Sequence, residues 1–277
     1  CMPNRASLMT GRFPTAHGLR YNGCLLPTRA NTFVDVLRAG GYQTASIGKS
    51  HLQPFTLLPP VGRPMFQTGP IVEAWQEEDE DYGQEQPDRY QSKEPYVFRT
   101  PYYGFDHVDM VVDHGDLAEG HYLQWMRNQT DDWEALRDRA NQLPHNYSCP
   151  QAYRTAIPEH LYSTAYIRDQ ACNWLGDLSA EDAPFFTFVS FPDPHHPFTP
   201  PGKYWDMYDP DDFEITLPYS AHQNPPMPMR AVMEAALRGD ESITPQTAFA
   251  LQDERPLREA MALTAGMITM IDDAIGA

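Results

Sequence analysis

The amino-acid sequence predicts an α/β fold in which a mostly parallel central sheet is flanked by helices. Two strand candidates and a set of helical stretches around them carry that expectation. Pro184-Phe185-Phe186-Thr187-Phe188-Val189-Ser190-Phe191 is an aromatic and β-branched run with proline at its start and just after its end, the pattern of a buried strand in a parallel sheet. Tyr42 to Ile47 alternates as a second strand and turns at Gly48 into Lys49-Ser50-His51. Open α/β sheets present their ligands at the carboxyl ends of the strands, so the charged turn stands where a site belongs. A chain of 277 residues can bury a full core, and it is read as a single, partial domain over 1–277 with a loop-rich insertion at 54–99.

In chain order, Cys1-Met2-Pro3-Asn4-Arg5-Ala6-Ser7-Leu8-Met9-Thr10-Gly11-Arg12 reads as a short helix, with proline early and Gly11 as its stop. Cys1 then stands where the dipole and the orphan N–H groups of a helix start favour an anion. Asn31 to Gly41 is a second short helix with a polar cap, a glycine stop and apolar residues at 33, 36 and 37. From Pro54 to Arg99 proline, glutamine and acids dominate, which predicts a surface loop. Its run Glu77-Glu78-Asp79-Glu80-Asp81 lacks the alternating spacing of a calcium loop and reads as solvated charge.

Gly104 to Val112 is a third strand, and Tyr122 to Met126 begins a short helix. His107, His114 and His121 match no metal-ligand spacing and read as exposed loop residues. Pro158 to Leu178 is the clearest helix, with Trp174 assigned to its core face. After the aromatic strand, Pro192-Asp193-Pro194-His195-His196-Pro197-Phe198 is a loop whose prolines fix the backbone around two histidines. Lys203 to Pro228 is loop-dominated, anchored by Ile215 and Leu217, and Leu257 to Ile275 is helical with Met261, Thr264, Ile268, Ile271 and Ile275 on one side.

Acidic residues outnumber basic ones 38 to 20, a formal net charge of -18, which excludes a general polyanion surface and so nucleic acid as a partner. No apolar run approaches the ~20 residues of a membrane span. Four cysteines stand at 1, 24, 149 and 172; with Cys1 committed to chemistry the remaining odd number suits reduced thiols, and with them the cytoplasm. A first residue other than Met and a last helix still in progress give the sequence the look of an internal fragment, expected to be inactive by itself.

The opening Cys-x-Pro-x-Arg stretch, continued by Leu8, Thr10, Gly11, Arg12, His17-Gly18 and Asn22-Gly23, resembles the signature of the type I sulfatases. Gly48-Lys49-Ser50-His51, Gly104-Phe105-Asp106, Pro194-His195-His196-Pro197-Phe198 and the stretch Ile268 to Gly276 resemble further elements of that family, in its order. Asn4 departs from the small residue commonest before the arginine.

The resemblance implies an alkaline-phosphatase-like sandwich and hydrolysis of a small-molecule or sugar sulfate ester. It implies conversion of Cys1 by a formylglycine-generating enzyme to formylglycine, whose hydrate attacks sulfur and then expels sulfate. It also implies a divalent cation, usually calcium, with magnesium or manganese as substitutes. Modified Cys1 is the one cation ligand it assigns within this sequence. It assigns Arg5 to stabilising the formylglycine turn, Lys49 to bridging the nucleophile and the sulfate, His51 to orienting or deprotonating the second hydroxyl, and His195 to the sulfate and ester oxygen. Asn22 is a further substrate contact. Two rivals are a phosphonate monoester or phosphodiester hydrolase on the same fold, which the Lys49 and His51 pair disfavours, and a non-catalytic anion-binding relative.

Overall fold

Three parallel strands set the frame: β1 (Gln43–Gly48) runs between β2 (His107–Val112) and β4 (Phe185–Ser190). The computed structural model describes residues 2–56, 81–178, 184–239 and 253–277. A two-residue strand, β3 (Glu119–Gly120), pairs antiparallel with β2, giving the order β3-β2-β1-β4. The α/β class and the parallel sheet are therefore as the sequence predicts. In register, Gly48 faces Met110 on one side and Ser190 on the other, so β1 and β4 end at the same level.

The described residues gather into two compact units, one drawn from the spans Cys1–Asp113, Leu117–Asp131 and Ala165–Pro192, the other from His114–Asp116, Asp132–Thr164 and Asp193–Ala277. In the first unit α1 (Met2–Thr10) and α3 (Phe33–Ala39) pack on one face of the sheet, burying Met2, Ala6, Met9 and Val34 with Val108, Met110 and Val112. The part of α6 (Ser163–Leu178) within this unit lies on the other face, where Tyr166 meets Asp109 and Trp174 stacks on His107 with ring centroids 4.6 Å apart. A nine-residue helix such as α1 is unstable alone. Burial of two methionine side chains, at roughly 1.5–3 kcal/mol each, is what holds it.

Several expectations change at the level of faces. Helix α3 buries Val34 and Asp35 rather than 33, 36 and 37, because a reciprocal cap with Thr32 turns Asp35 inward: Thr32 N–H donates to Asp35 at 2.8 Å and Asp35 N–H to Thr32 Oγ1 at 3.1 Å. Strand β4 is only partly covered, with Phe185 and Val189 exposed, since among the described residues it pairs on one side only. Trp174 is half-buried, with Nε1 donating to Thr187 at 2.8 Å, and Leu175 is exposed, so this helical turn is not core.

Residues 57–80 lie outside the described residues, and with them most of the acidic run; Asp81 receives Arg89 at 3.2 Å. Residues 81–99 are not the pure surface that their composition suggests, because Gln84, Glu85 and Tyr90 are buried. The histidines also differ from an exposed-loop reading. His107 belongs to β2 and pairs with Asp109 at 2.7 Å. His121 opens α4 (His121–Gln129), where Nδ1 accepts from Met110 N–H and Nε2 donates to Tyr96 O, and burial lowers its pKa.

The second unit has its own core of Cys149, Ala152, Phe198, Trp205, Ala260, Leu263 and Met267. Its short helices α5 (Trp133–Arg137) and α7 (Met227–Leu237) precede the long α8 (Glu254–Gly276). The face α8 buries includes Pro256, Glu259, Ala260, Leu263, Gly266, Met267 and Met270, while Ile268 and Ile275 are exposed. Small residues let the backbone approach, so that a Cβ at Gly266 would fall 2.2 Å from Tyr204 O. Buried Glu259 accepts from the N–H groups of Ser148 and Cys149 and pairs with Arg255. Tyr204 and Trp205 are buried on the preceding excursion, whereas Leu217 is exposed. Cys24 and Cys149 are buried free thiols and Cys172 an exposed one. No helix among the described residues is long and apolar enough to cross a membrane.

Gly48 adopts φ 101°, and a Cβ there would stand 2.0 Å from the Ser190 carbonyl oxygen. Gly48→Ala should therefore lower stability by about 1–3 kcal/mol through overpacking and strain. Urea unfolding of the two proteins checks this; an unchanged midpoint would mean that the β1 and β4 ends can separate at no cost.

Candidate active site

The end of β1 runs straight into the charged turn. Lys49 N–H donates to Ser190 O at 2.8 Å, which ties the turn to the end of β4 as well. Lys49 is buried, its Nζ donating to Asp113 O at 3.3 Å and lying 4.9 Å from the centre of the Phe55 ring. His51 is also buried and packs its ring on Phe55, centroids 4.4 Å apart. Its backbone is left-handed at φ 56°, uncommon for a residue with a side chain, so something must hold it there.

Two charged groups do so from opposite sides. Arg5, on α1, donates from Nη1 to Lys49 O at 2.7 Å and to Ser190 Oγ at 3.0 Å, with a longer contact to Ser50 O. Glu85 receives the next three backbone N–H groups: His51 on Oε2 at 2.8 Å, and Leu52 and Gln53 on Oε1 at 2.8 and 3.0 Å. Tyr102 donates its hydroxyl to Oε1 at 2.5 Å. Burial pushes the Glu85 pKa up, opposed by these four donors, and burial lowers that of Arg5, opposed by attraction to Glu85. Three of its four partners are backbone N–H groups that can only donate, so the turn calls on this carboxyl as an acceptor.

Asn22 serves the start of α1, accepting from Met2 N–H on Oδ1 at 2.9 Å. Cys1 lies outside the described residues. His195 falls in the second unit, on the loop past β4, with Nδ1 against His196 O and its ring stacked on that of His114, centroids 3.8 Å apart. The structure thus brings Arg5, Lys49 and His51 together at the carboxyl end of β1 and sets Asn22 on the head of α1. Among the described residues no group of three or more His, Cys, Asp or Glu side chains is arranged to hold a metal ion. Calcium takes roughly six to eight oxygens, so the described residues do not fit a cation site by themselves.

The family model for sulfatases matches residues 1–277. The chain belongs to the sulfatase family. This sulfatase-family chain is 25% identical over 216 residues to an ulvan-active sulfatase of Formosa agariphila, covering 76% of the chain and 29% of that protein. It is also 25% identical over 280 residues to an arylsulfatase of Clostridium perfringens, covering 100% of the chain and 48% of the relative. The chain therefore spans less than half the length of these relatives. A phosphonate monoester hydrolase of Agrobacterium radiobacter shares the fold, with a TM-score of 0.63 at 22% identity over 99% of this chain and 48% of that one.

Other positions of the sulfatase signature serve the frame. His17 is buried, its Nδ1 accepting from Leu19 N–H at 3.2 Å and its Nε2 meeting Ser7 Oγ at 3.1 Å. Gly104, at φ 90°, packs so tightly that a Cβ would stand 2.5 Å from Asp35 N, and Phe105 is buried beside it. Glu85 and Tyr102 are the residues that sequence reasoning missed. One acid among many in a proline-rich stretch carries no periodicity, and a single sequence offers no sign that it is buried.

Glu85→Gln should cost about 1–3 kcal/mol, because an amide turned toward four donors leaves at least one unsatisfied. Tyr102→Phe removes one donor, spares the three N–H bonds and should cost less. Denaturant midpoints of the two variants test this, and a Glu85→Gln protein as stable as the parent would show that the carboxylate does not hold the turn.

Proposed function

We propose that the protein bearing this sequence is a sulfuric ester hydrolase, cleaving a sulfate monoester of a small molecule or sugar through a formylglycine made at Cys1. The observation that supports it most is the tie between Arg5 of the Cys-x-Pro-x-Arg helix and the Lys49 turn, which joins two family motifs through one guanidinium. The ulvan-active sulfatase and the arylsulfatase among the relatives support a sulfate ester as the substrate class.

Formylglycine, formed by a generating enzyme, supplies as its hydrate one hydroxyl to attack sulfur and a second whose deprotonation expels sulfate. Lys49 contributes fixed positive charge toward the sulfate oxygens, where charge grows as the ester bond breaks. His51 orients the second hydroxyl and takes its proton. His195 hydrogen-bonds the sulfate and the ester oxygen, easing departure of the alcohol. Arg5 holds the turn and the strand end in place, and Asn22 secures the first turn of the helix that bears Cys1. A divalent cation, calcium first and magnesium or manganese next, belongs to the proposal without a step of its own, since the described residues do not assemble its ligands.

In the full-length protein coexpressed with a formylglycine-generating enzyme, peptide mass spectrometry should find an aldehyde in place of the Cys1 thiol. The same preparation should show kcat/KM for an aryl sulfate at least roughly tenfold above that for the matched aryl phosphonate monoester, a difference of about 1.4 kcal/mol. Full activity with an intact thiol would sink the nucleophile, and preference for the phosphonate would establish a phosphonate monoester hydrolase.

A further inference from the structure

We infer that His114 is a positioning residue for His195, fixing the direction of its ring by stacking. The inference rests on the proposed role of His195 at the sulfate ester. The two imidazoles lie nearly parallel, at an interplanar angle of 21° with centroids 3.8 Å apart, which is van der Waals contact across the whole ring face. The His196 ring lies 3.9 Å from that of His195 at a 40° tilt.

The main chain settles which nitrogen of His195 carries the proton. Its Nδ1 meets the His196 carbonyl oxygen, and a carbonyl can only accept, so Nδ1 holds the hydrogen. Nε2 is then the atom that gains or loses a proton. The bond at Nδ1 fixes one edge of the ring and does not by itself oppose rotation out of plane. The His114 ring occupies the space that such rotation would sweep, and so completes the constraint.

His114 can do this because the residues after it are themselves immobilised within the second unit. Gly115 sits at φ +57° with no room for a side chain, since a Cβ would fall 2.6 Å from Thr199 Oγ1 and 3.1 Å from Pro197 Cγ. The buried Asp116 carboxylate takes two bonds from Arg139, at 2.9 and 2.8 Å. Thr199 Oγ1 lies 2.9 Å from the Tyr162 hydroxyl. Segment 114–116 is therefore pressed onto the loop that carries His195, four residues from Thr199. A proton donor must be held within hydrogen-bond reach of its target, and a small misdirection is costly in rate.

The test uses the full-length enzyme with His114→Ala and His114→Phe, the second keeping a flat ring without nitrogen. His114→Ala should lower kcat on a sulfate ester by roughly ten- to a hundredfold while KM changes by less than about threefold, and His114→Phe should recover most of the loss. In parallel, imidazole nitrogen NMR, with the His195 signals assigned by their disappearance in His195→Ala, should show the Nδ1–H tautomer in the parent and in His114→Phe but a mixture in His114→Ala. Parental kcat and parental His195 signals in His114→Ala would overturn the inference. So would a His114→Phe enzyme as slow as His114→Ala, which would mean that His114 acts through its own nitrogen. If the parent turns over no sulfate ester, the functional proposal fails, while the NMR response to His114→Ala still decides the positioning claim.

Discussion

A turn of five residues, Lys49 to Gln53, is gripped by opposite charges on its two sides, and the candidate site depends on that grip. Arg5 takes the carbonyl of Lys49 with support at Ser50, and Glu85 takes the N–H groups of the following three residues. Charge-assisted bonds are roughly twice as strong as neutral ones, and their summed effect can keep His51 at a positive φ that would otherwise cost ~1–3 kcal/mol. Glu85 is fully buried and Arg5 partly so, and the two charges act on the same turn. The Glu85 field is what opposes the loss of charge that burial would impose on Arg5. All three contacts leave from Nη1 of Arg5, which shares its two hydrogens among Lys49 O, Ser190 Oγ and the more distant Ser50 O; a lysine ammonium on its flexible stem lacks the rigid guanidinium plane that fixes this nitrogen in place.

The frame around the turn explains why several motif positions carry no chemistry of their own. Gly48 lets β1 and β4 close to a distance no side chain permits, and Gly104 does the same against α3. Buried His17 bridges α1 to the chain after α2 (Pro14–His17). These residues set the height and angle at which α1 meets the strand ends, and so where Arg5 can reach.

Much of this architecture was legible in the sequence, and the reasons differ by element. Strand β4 announced itself through an aromatic and β-branched run bounded by proline, β1 through alternation ending at Gly48, and Lys49 and His51 through charge placed just past a strand. Helix α1 was visible from its proline and glycine ends. What failed was the assignment of faces. In α3 a buried aspartate bound back to Thr32 outweighs the aliphatic spacing, and in α8 alanine, glycine and a paired glutamate line the interior where isoleucines had been expected. Hydrophobicity alone cannot register a buried polar group whose partners are distant in sequence. Glu85 is the clearest case, being more than thirty residues from the turn it binds. The stacking of partly exposed His114 on His195 is equally invisible to hydrophobicity, since it joins two loops about eighty positions apart.

The most direct test of the grip on the Lys49 turn is amide hydrogen exchange at His51, Leu52 and Gln53 in the parent and in an Arg5→Lys variant. The account predicts that these three amides are protected to a degree near that of β1 in the parent. In the variant they should exchange at least about tenfold faster, with β1 itself little changed. Fast exchange at all three positions in the parent, like that of an exposed loop, would contradict it.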